Sequence, residues 1–329
     1  MITFDPRSKY TITYYLLPIT YYLLPITYYL FFPMPSISYK LLRFVLRRRN
    51  AKDLWKGPEV KPQSMRKLDV KNPAPSLYNG CTLDRRQVLN TTVSILTPKG
   101  STTDKVVLFF HGGGFVFGPM KEHWQSAAQI AKWSQTRVWM VDYPKTPEHQ
   151  QPEVMENAMA VYEAAQESFD PSRIIFMGDS AGGHILLTLC LKLKDAGRAL
   201  PACLIPVCPS VGSAHEKDPE VMEVNKRDFI LDPGGLPSIG RWYFGEMNSD
   251  DPMVSPWKAD LRGLPPIHCF IASDDILMPS ERKFVRKARE DGVKIDVYEG
   301  EGLCHIWVMF PVKEGRQARK EIANIIQDA

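Results

Sequence analysis

Cysteine is scarce: six residues among 329 (Cys81, Cys190, Cys203, Cys208, Cys269 and Cys304), with none of the spacings that mark paired thiols. A disulfide miniprotein is thereby excluded, because such scaffolds are short and dense in cysteine. Cys190, Cys203, Cys208 and Cys269 lie in apolar runs and read as small core residues. Cys304 stands beside His305, and an inert thiol is preferred there over a reactive one. Six unpaired thiols fit a reducing compartment, so the expected location is cytoplasmic. A basic body is also lacking. Lys and Arg number 41 against 37 Asp and Glu, a net charge of +4. Residues 1–50 alone carry seven basic side chains and one acid, and taking that +6 from the total leaves −2 for the rest. No nucleic-acid partner is expected, since such partners need a basic face. With 44% hydrophobic and 24% charged residues, the composition is that of an average globular chain. It excludes a wholly disordered chain, a collagen and a multispanning membrane protein.

Charge is missing altogether from residue 10 to residue 39. Within that stretch Ile12 to Leu30 reads ITYYLLPITYYLLPITYYL, a seven-residue repeat. A coiled coil is forbidden by Pro18, Pro25 and Pro33. A membrane span is opposed by the same prolines and by tyrosines spread through its middle. A signal peptide would need a small-x-small cleavage site, which is not evident. Codon arithmetic supplies another reading. A tandem seven-base unit read in triplets returns to phase after seven codons, and ACCTATT yields Thr-Tyr-Tyr-Leu-Leu-Pro-Ile, which is this repeat. The preferred expectation is translated simple-repeat DNA from a misplaced start, with residues 1–37 a low-complexity, disordered or mistranslated piece. The alternative is a membrane tether through residues 11–35.

Residues 38–329 read as a single domain. Ser38–Arg49 has the pattern of a short basic amphipathic helix, for which a solvated helix resting on the domain is preferred over a membrane contact. Residues 56–80 are rich in Pro and Lys and read as a connector. Strand patterns are expected at Val88–Leu96, Lys105–Phe110, Arg137–Val141, Arg173–Met177, Ala202–Val207, Ile267–Ala272 and Lys294–Tyr298. Helical periods are expected at Trp124–Ser134, Val154–Ala165, Ala181–Lys194, Ser280–Glu290 and Lys313–Gln327. This alternation predicts an α/β fold, a mostly parallel central sheet with helices on both faces. Residues 212–248 interrupt it with aromatic-rich helical sequence. Together with residues 38–60 they are expected to form a helical cap over the carboxyl edge of the sheet, where such folds bind ligands. Phe229, Trp242, Tyr243, Phe244 and Met247 are candidates for its apolar lining, with packing of the cap an equal alternative for each.

Gly178-Asp179-Ser180-Ala181-Gly182 fits G-x-S-x-G between the strand RIIFM and a long apolar helix. That context suits a nucleophile elbow, whose tight turn requires small residues around the serine. His111-Gly112-Gly113-Gly114-Phe115 follows the buried run KVVLFF, and its glycines let backbone N–H groups converge on one point. His111 itself reads as a brace for that loop. A serine nucleophile needs a base, and the base needs an orienting carboxylate. Of the seven histidines only His268 and His305 come late in the chain. His268 lies inside a strand, so His305 is the expected base. For the acid, Asp274 and Asp275 compete at the end of the preceding strand, and spacing does not separate them.

From about residue 85 to 329 the sequence resembles the hormone-sensitive-lipase-like family of α/β-hydrolases. HGGGF at 111–115 and GDSAGG at 178–183 are the two signatures. Asp142–His149 resembles its DYRLAPEH segment with three replacements, and Ser255-Pro256 followed by Asp260–Pro266 resembles its SP…DLxGLPP stretch. In that family the acid stands two residues before a leucine, so Leu277 selects Asp275. The acidic pair that usually follows is replaced here by Met278, Pro279 and Ser280. The resemblance implies an α/β-hydrolase fold, a triad of Ser180, Asp275 and His305, and an oxyanion hole of Gly113, Gly114 and Ala181. It implies a serine ester hydrolase acting on short- or medium-acyl esters of small molecules, with no cofactor and no metal. Fungal relatives include acetyl-removing esterases of secondary metabolism, such as versiconal hemiacetal acetate esterases. Two competing readings share these motifs: an amidase or formamidase with the same triad, and a small-ligand receptor. The presence of His305 favours the enzyme. Oligomeric state is not legible in the sequence.

Overall fold

A computed structural model describes residues 35–101, 103–212 and 217–329, together with the backbone of residues 29–31. Residues 1–28 and 32–34, and with them the readings of the repeat as a span, signal or translated DNA, lie outside the described residues. The first elements are the short strand β1 (Tyr29–Phe31), α1 (Ile37–Arg48) and the single turn α2 (Pro62–Met65). There follow β2 (Cys81–Val88), β3 (Thr91–Pro98), β4 (Val106–Phe110), α3 (Lys121–Ser134) and β5 (Arg137–Asp142). Next come α4 (Gln151–Gln166), β6 (Ile174–Asp179), α5 (Ala181–Asp195) and β7 (Cys203–Val207). The chain ends with α6 (Pro219–Asn225), α7 (Leu236–Phe244), β8 (Ile267–Asp274), α8 (Met278–Glu290), β9 (Ile295–Cys304) and α9 (Lys313–Asp328).

Among the described residues nine strands form one sheet in the order β1-β9-β8-β7-β6-β4-β5-β3-β2. β2 and β3 pair antiparallel, β3 pairs antiparallel with β5, and every other neighbour is parallel. The central strands β4, β6 and β7 are buried along their whole length. That is why KVVLFF reads as a continuous apolar run rather than an alternation. Its side chains still alternate between two cores. Val106, Leu108 and Phe110 join a core closed by α4, α5 and α8. Val107 and Phe109 join a second core closed by α3 and α9. The parallel sheet covered by helices on both faces is the expected architecture.

Two boundaries differ from the sequence reading. The strand expected at Val88–Leu96 is a hairpin, with Val88 paired to Thr91. Leu89 turns the chain at φ 49°. An apolar residue at the turn carried the alternation through it, so the break was hidden. The strand expected to end at Tyr298 instead continues as β9 to Cys304. Gly300 is there for space. A Cβ on it would stand 2.8 Å from both Leu303 and Trp307.

The segment between β7 and β8 carries α6 and α7 and meets the stretch after α1. Gly235 N–H donates to the Trp55 carbonyl at 2.9 Å, Val60 N–H to Ser238 Oγ at 3.2 Å, and Lys52 Nζ to the Asn225 and Asp228 carbonyls at 2.8 and 3.0 Å. These bonds tie two distant parts of the chain into one wall. Among the described residues no helix is long and apolar enough to cross a membrane.

α8 buries an acid. Glu281 is fully buried, and neither carboxyl oxygen has a hydrogen-bond partner among the described residues. Burial, with the charges of Asp275 and Glu299 adding to it, pushes this carboxyl well above the usual range. A group that holds its proton in the folded state but not in the unfolded one loses stability as pH rises above its unfolded pKa. Glu281→Gln mimics the protonated acid. Its stability relative to the parent, measured by urea unfolding, is expected to rise between pH 5 and pH 9 by more than about 1 kcal/mol. An equal difference at both pH values contradicts a neutral Glu281.

Candidate active site

Ser180 stands at the junction of β6 and α5 with φ 53° and ψ −118°. A non-glycine residue in that region costs roughly 1–3 kcal/mol and persists only where the surroundings enforce it. Here they do. A Cβ on Gly182 would lie 1.9 Å from the Phe110 carbonyl oxygen of β4, and one on Gly178 2.6 Å from the Gly182 backbone. The glycines of G-x-S-x-G therefore let α5 start against β4 and β6 with no side chain between. Ser180 is then clamped by its own backbone. Its N–H donates to the Val207 carbonyl at 2.9 Å, and its carbonyl accepts from Ser210 N–H at 3.0 Å.

The loop after β4 lies against this turn. Gly113 and Gly114 have φ of 121° and 59°, and a Cβ on Gly113 would stand 2.1 Å from the Phe117 carbonyl oxygen. The N–H groups of Gly113, Gly114 and Ala181 meet no acceptor among the described residues. Gly114, Ala181 and Ser180 line the same cavity. His111 braces the loop as expected. Its Nδ1 donates to the Gly112 carbonyl at 2.7 Å, and its ring stacks on Tyr143 at 4.6 Å. Tyr143 Oη donates to the His111 carbonyl at 2.8 Å.

Asp179 adds a contact that sequence reasoning missed. Its carboxylate accepts from Gly112 N–H at 3.0 Å and from His123 Nε2 at 3.1 Å. His123 Nδ1 in turn accepts Met120 N–H at 2.9 Å, so a neutral imidazole protonated on Nε2 satisfies both partners. Burial pushes Asp179 up, and His123 with the Gly112 N–H outweighs it, holding the carboxyl below its usual value. The signal was present in the sequence, as the acid beside the serine.

His305, directly after β9, brings the three sequence-predicted side chains together. Its Nε2 lies 2.8 Å from Ser180 Oγ and its Nδ1 2.7 Å from Asp275 Oδ2. Asp275 is fully buried and also accepts Leu277 N–H at 2.9 Å. Asp274 points elsewhere and pairs with Arg227 Nε at 3.0 Å. His268 is remote from this group, with Asp296 at 3.5 Å and Tyr298 at 3.4 Å as its neighbours. Burial pushes His305 down, but the carboxylates of Asp275, Asp228 and Asp179 outweigh it and raise its pKa above the ordinary value. Cys208, Asp275 and His305 offer ligand atoms within 4.8 Å of one another. Both His305 nitrogens are already engaged and burial pushes the Cys208 thiol well up, so no ready donor set for a metal exists there.

Asp228, which the sequence reading did not single out, supports the acid loop from the inserted segment. Oδ1 accepts the N–H groups of Ile230 and Leu231 at 2.8 and 2.9 Å, and Oδ2 accepts Ile276 N–H at 3.0 Å. Burial, then the Asp275 charge, pushes it up to about 7. One carboxyl thus ties the insertion to the residue next to Asp275.

The cavity above Ser180 has a volume of about 350 Å³. Its walls include Trp55, Phe115, Leu231, Leu236, Ile239 and Phe244. Of the expected apolar lining, Phe244 and Met247 face the cavity. Tyr243 is instead buried in a stack on Phe115 at 3.7 Å, and Phe229 packs under α1 against Tyr39 at 6.5 Å. Trp242 packs on the core beside them. The 3.6-residue helical period separates Phe244 from Tyr243, which contiguous aromatic sequence does not reveal.

Asp228→Ala leaves the N–H groups of Leu231 and Ile276 unpaired in the interior and that of half-buried Ile230 without its partner, at a cost of about 1–3 kcal/mol for each buried group. It is expected to lower kcat for a soluble ester by roughly tenfold or more while KM moves little, because the loop holding Asp275 loosens. An unchanged kcat in a folded variant removes Asp228 from any positioning role.

Residues 107–309 match the family described as alpha/beta hydrolase fold. An esterase of Acinetobacter venetianus is 31% identical over 229 residues, covering 68% of this chain and 75% of that protein. An acetyl-hydrolase of Streptomyces hygroscopicus is 28% identical, covering 65% of this chain and 72% of its own length. An esterase of the bacterial hormone-sensitive lipase family, known by crystal structure, superposes with a TM-score of 0.79 at 27% identity, covering 90% of this chain and 99% of that one. With the fold, the family match and these relatives in agreement, the chain belongs to the hormone-sensitive-lipase-like α/β-hydrolases and is a carboxylic ester hydrolase.

Proposed function

We propose that Ser180 is the nucleophile, His305 the general base and then acid, and Asp275 the carboxylate that orients and charge-stabilises His305. The observation that carries this reading is the unbroken line of hydrogen bonds from Ser180 Oγ through both His305 nitrogens to Asp275. Ser180 Oγ attacks the ester carbonyl as His305 Nε2 takes its proton. The carbonyl oxygen becomes an oxyanion on the N–H groups of Gly113, Gly114 and Ala181. Collapse expels the alcohol, which takes the proton from His305 and leaves an acyl group on Ser180. Water, deprotonated by His305, attacks that acyl group; collapse breaks the bond to Ser180 Oγ, which takes the proton back from His305, and the acid departs. Each oxyanion donor of this kind contributes on the order of 100- to 1,000-fold in rate.

The substrate is a short- or medium-acyl ester of a small molecule. A cavity of about 350 Å³ with apolar walls holds a small ester and leaves little room for a long chain. The acetyl-hydrolase among the relatives supports the acetyl end of that range. Deacetylation of a secondary metabolite is the specific form of this reading, carried by the resemblance to fungal esterases of that kind. The catalytic domain spans residues 38–329, with a cap from about 38–60 and 212–248; contrary to the expectation that residues 1–37 form a separate low-complexity piece, Tyr29–Phe31 pair with β9 at the sheet edge and Ser36 bonds Glu314 of α9. A reducing cytoplasm suits the six cysteines, all buried and free. Burial pushes the Cys190 and Cys203 thiols up to about 12 and the Cys304 thiol higher, which leaves them inert.

A series of p-nitrophenyl esters of increasing acyl length tests the reading. kcat/KM is expected to peak between acetate and hexanoate, and Ser180→Ala to lose roughly 10⁴-fold or more. Full activity in Ser180→Ala rejects the mechanism, and a peak at long acyl chains rejects the substrate class. Asp275→Asn should cost about 10⁴-fold in kcat, as a misoriented base does, whereas Asp274→Asn should stay within about threefold. The base works only when neutral, and His305 holds its proton to higher pH than an ordinary histidine. The acid limb of kcat/KM is therefore expected above about pH 6.5. A limb centred below that value argues against His305 as the titrating base.

A further inference from the structure

α1 presents two apolar faces. Tyr39, Leu42 and Leu46 turn inward onto the core shared with α9. Ser36 caps the helix by accepting Tyr39 N–H, and its own N–H and hydroxyl donate to the Glu314 carboxylate in the first turn of α9, at 2.5 and 3.0 Å. Arg43 and Arg47 lie over the Phe229 ring at 5.7 Å each. The helix is thus held in one orientation. Its opposite face carries Ile37, Leu41 and Phe44, which are 85, 62 and 61% exposed. Spaced at i, i+4 and i+7, they form a single stripe. The other large exposed apolar side chains among the described residues, Leu68, Leu89 and Met222, are scattered singly, which is ordinary. Three on one rigid helix are not.

We propose that this face of α1 docks on a membrane surface containing anionic lipid. Charge decides the occupant. α1 and the residue after it carry Lys40, Arg43, Arg47, Arg48 and Arg49 and no acid. Arg48 continues the apolar stripe one turn on, while Lys40 and Arg47 flank Phe44. Apolar residues entering the boundary between headgroup and acyl chain, rimmed by cations that meet lipid phosphates, are the physical requirement for an interfacial helix. A second copy of this chain, paired about a two-fold axis on the same face, would bring two sets of five cations together. Residues 51–55 run directly from α1 to Trp55, a wall of the cavity above Ser180. Docking α1 therefore fixes the lipid surface close in sequence to the substrate wall, a position suited to esters that partition into membranes. The sequence pattern alone favoured a solvated helix; the exposure of the stripe reverses that preference.

The test uses the full chain and cosedimentation with vesicles of phosphatidylcholine alone or mixed with phosphatidylserine. The parent is expected to sediment with the mixed vesicles and to be released by high salt or by omission of phosphatidylserine. Leu41→Asp combined with Phe44→Asp is expected to weaken partitioning by about tenfold or more, and Lys40→Glu combined with Arg48→Glu to do the same. Both variants change exposed positions outside the reaction machinery, so p-nitrophenyl acetate turnover should match the parent and report correct folding. The proposal is overturned if the parent stays in solution with mixed vesicles. It is overturned equally if the stripe variant sediments like the parent, or if the face instead forms a dimer in sedimentation velocity that the variant loses.

Discussion

The close approach of β4, β6 and α5 is the constraint from which the site is built. There is no space between the Phe110 carbonyl and the first turn of α5 for even one methyl group. Glycine at 178 and 182 meets that constraint, and Ser180 takes its left-handed backbone because the strand and helix on either side permit no other path. The strain is offset by the buried apolar runs on both sides of β4 and β6. The direction of the Ser180 hydroxyl is therefore a property of the sheet, and loosening the sheet would loosen it.

Around that turn lies an unusual concentration of buried acid. Asp179, Asp228, Asp275 and Glu281 are all buried. Their environments push them apart. Asp179 is held low by His123 and Gly112, burial and the Asp275 charge raise Asp228 to about 7, and burial pushes Glu281 well above its ordinary range. The charges of Asp275, Asp228 and Asp179 oppose the burial penalty on His305 and favour its protonated form. In the proposed mechanism, an imidazolium forming on His305 meets negative charge already oriented, with no reorganisation required when it appears. The same acids bind the architecture together: Asp179 ties the glycine loop to the elbow, and Asp228 ties the insertion to the acid loop.

The insertion and the segment after α1 do a separate task. They close an apolar chamber over a reaction centre whose other groups are polar. Their bonds to each other, Trp55 to Gly235 and Val60 to Ser238, span almost the whole sequence separation between the N-terminal segment and the region before β8. The apolar walls of that chamber are thereby supplied largely by a part of the chain that holds none of Ser180, Asp275 and His305. The basic helix leading into it is the natural point at which a surface can influence access.

Most of the fold was legible because parallel strands write long apolar runs and their crossover helices write a clear 3.6-residue period. The turn at Leu89 and the extension of β9 past Tyr298 were missed for one reason: each residue type signals a local tendency, and here packing overrode it. The strand–G-x-S-x-G–helix context, the HGGG loop and the late histidine were local signals, so Ser180, His305 and the glycine donors could be named from the sequence alone. Asp275 over Asp274 could be named only through family resemblance. The choice rests on which carboxylate faces His305 and which faces Arg227: Asp274 is the last residue of β8 and Asp275 the first beyond it, and their side chains leave the chain in different directions. Asp228 and His123 were invisible for a stronger reason. Their partners lie 48 and 56 residues away, and no periodicity records such a meeting. The sequence by itself determined the layers, the elbow and the class of chemistry, because those follow from local sterics and repeat period. The tertiary structure alone decided which buried acid serves which loop, which aromatic faces the substrate and which face of α1 is left uncovered. Those depend on the directions of side chains brought together across the sheet.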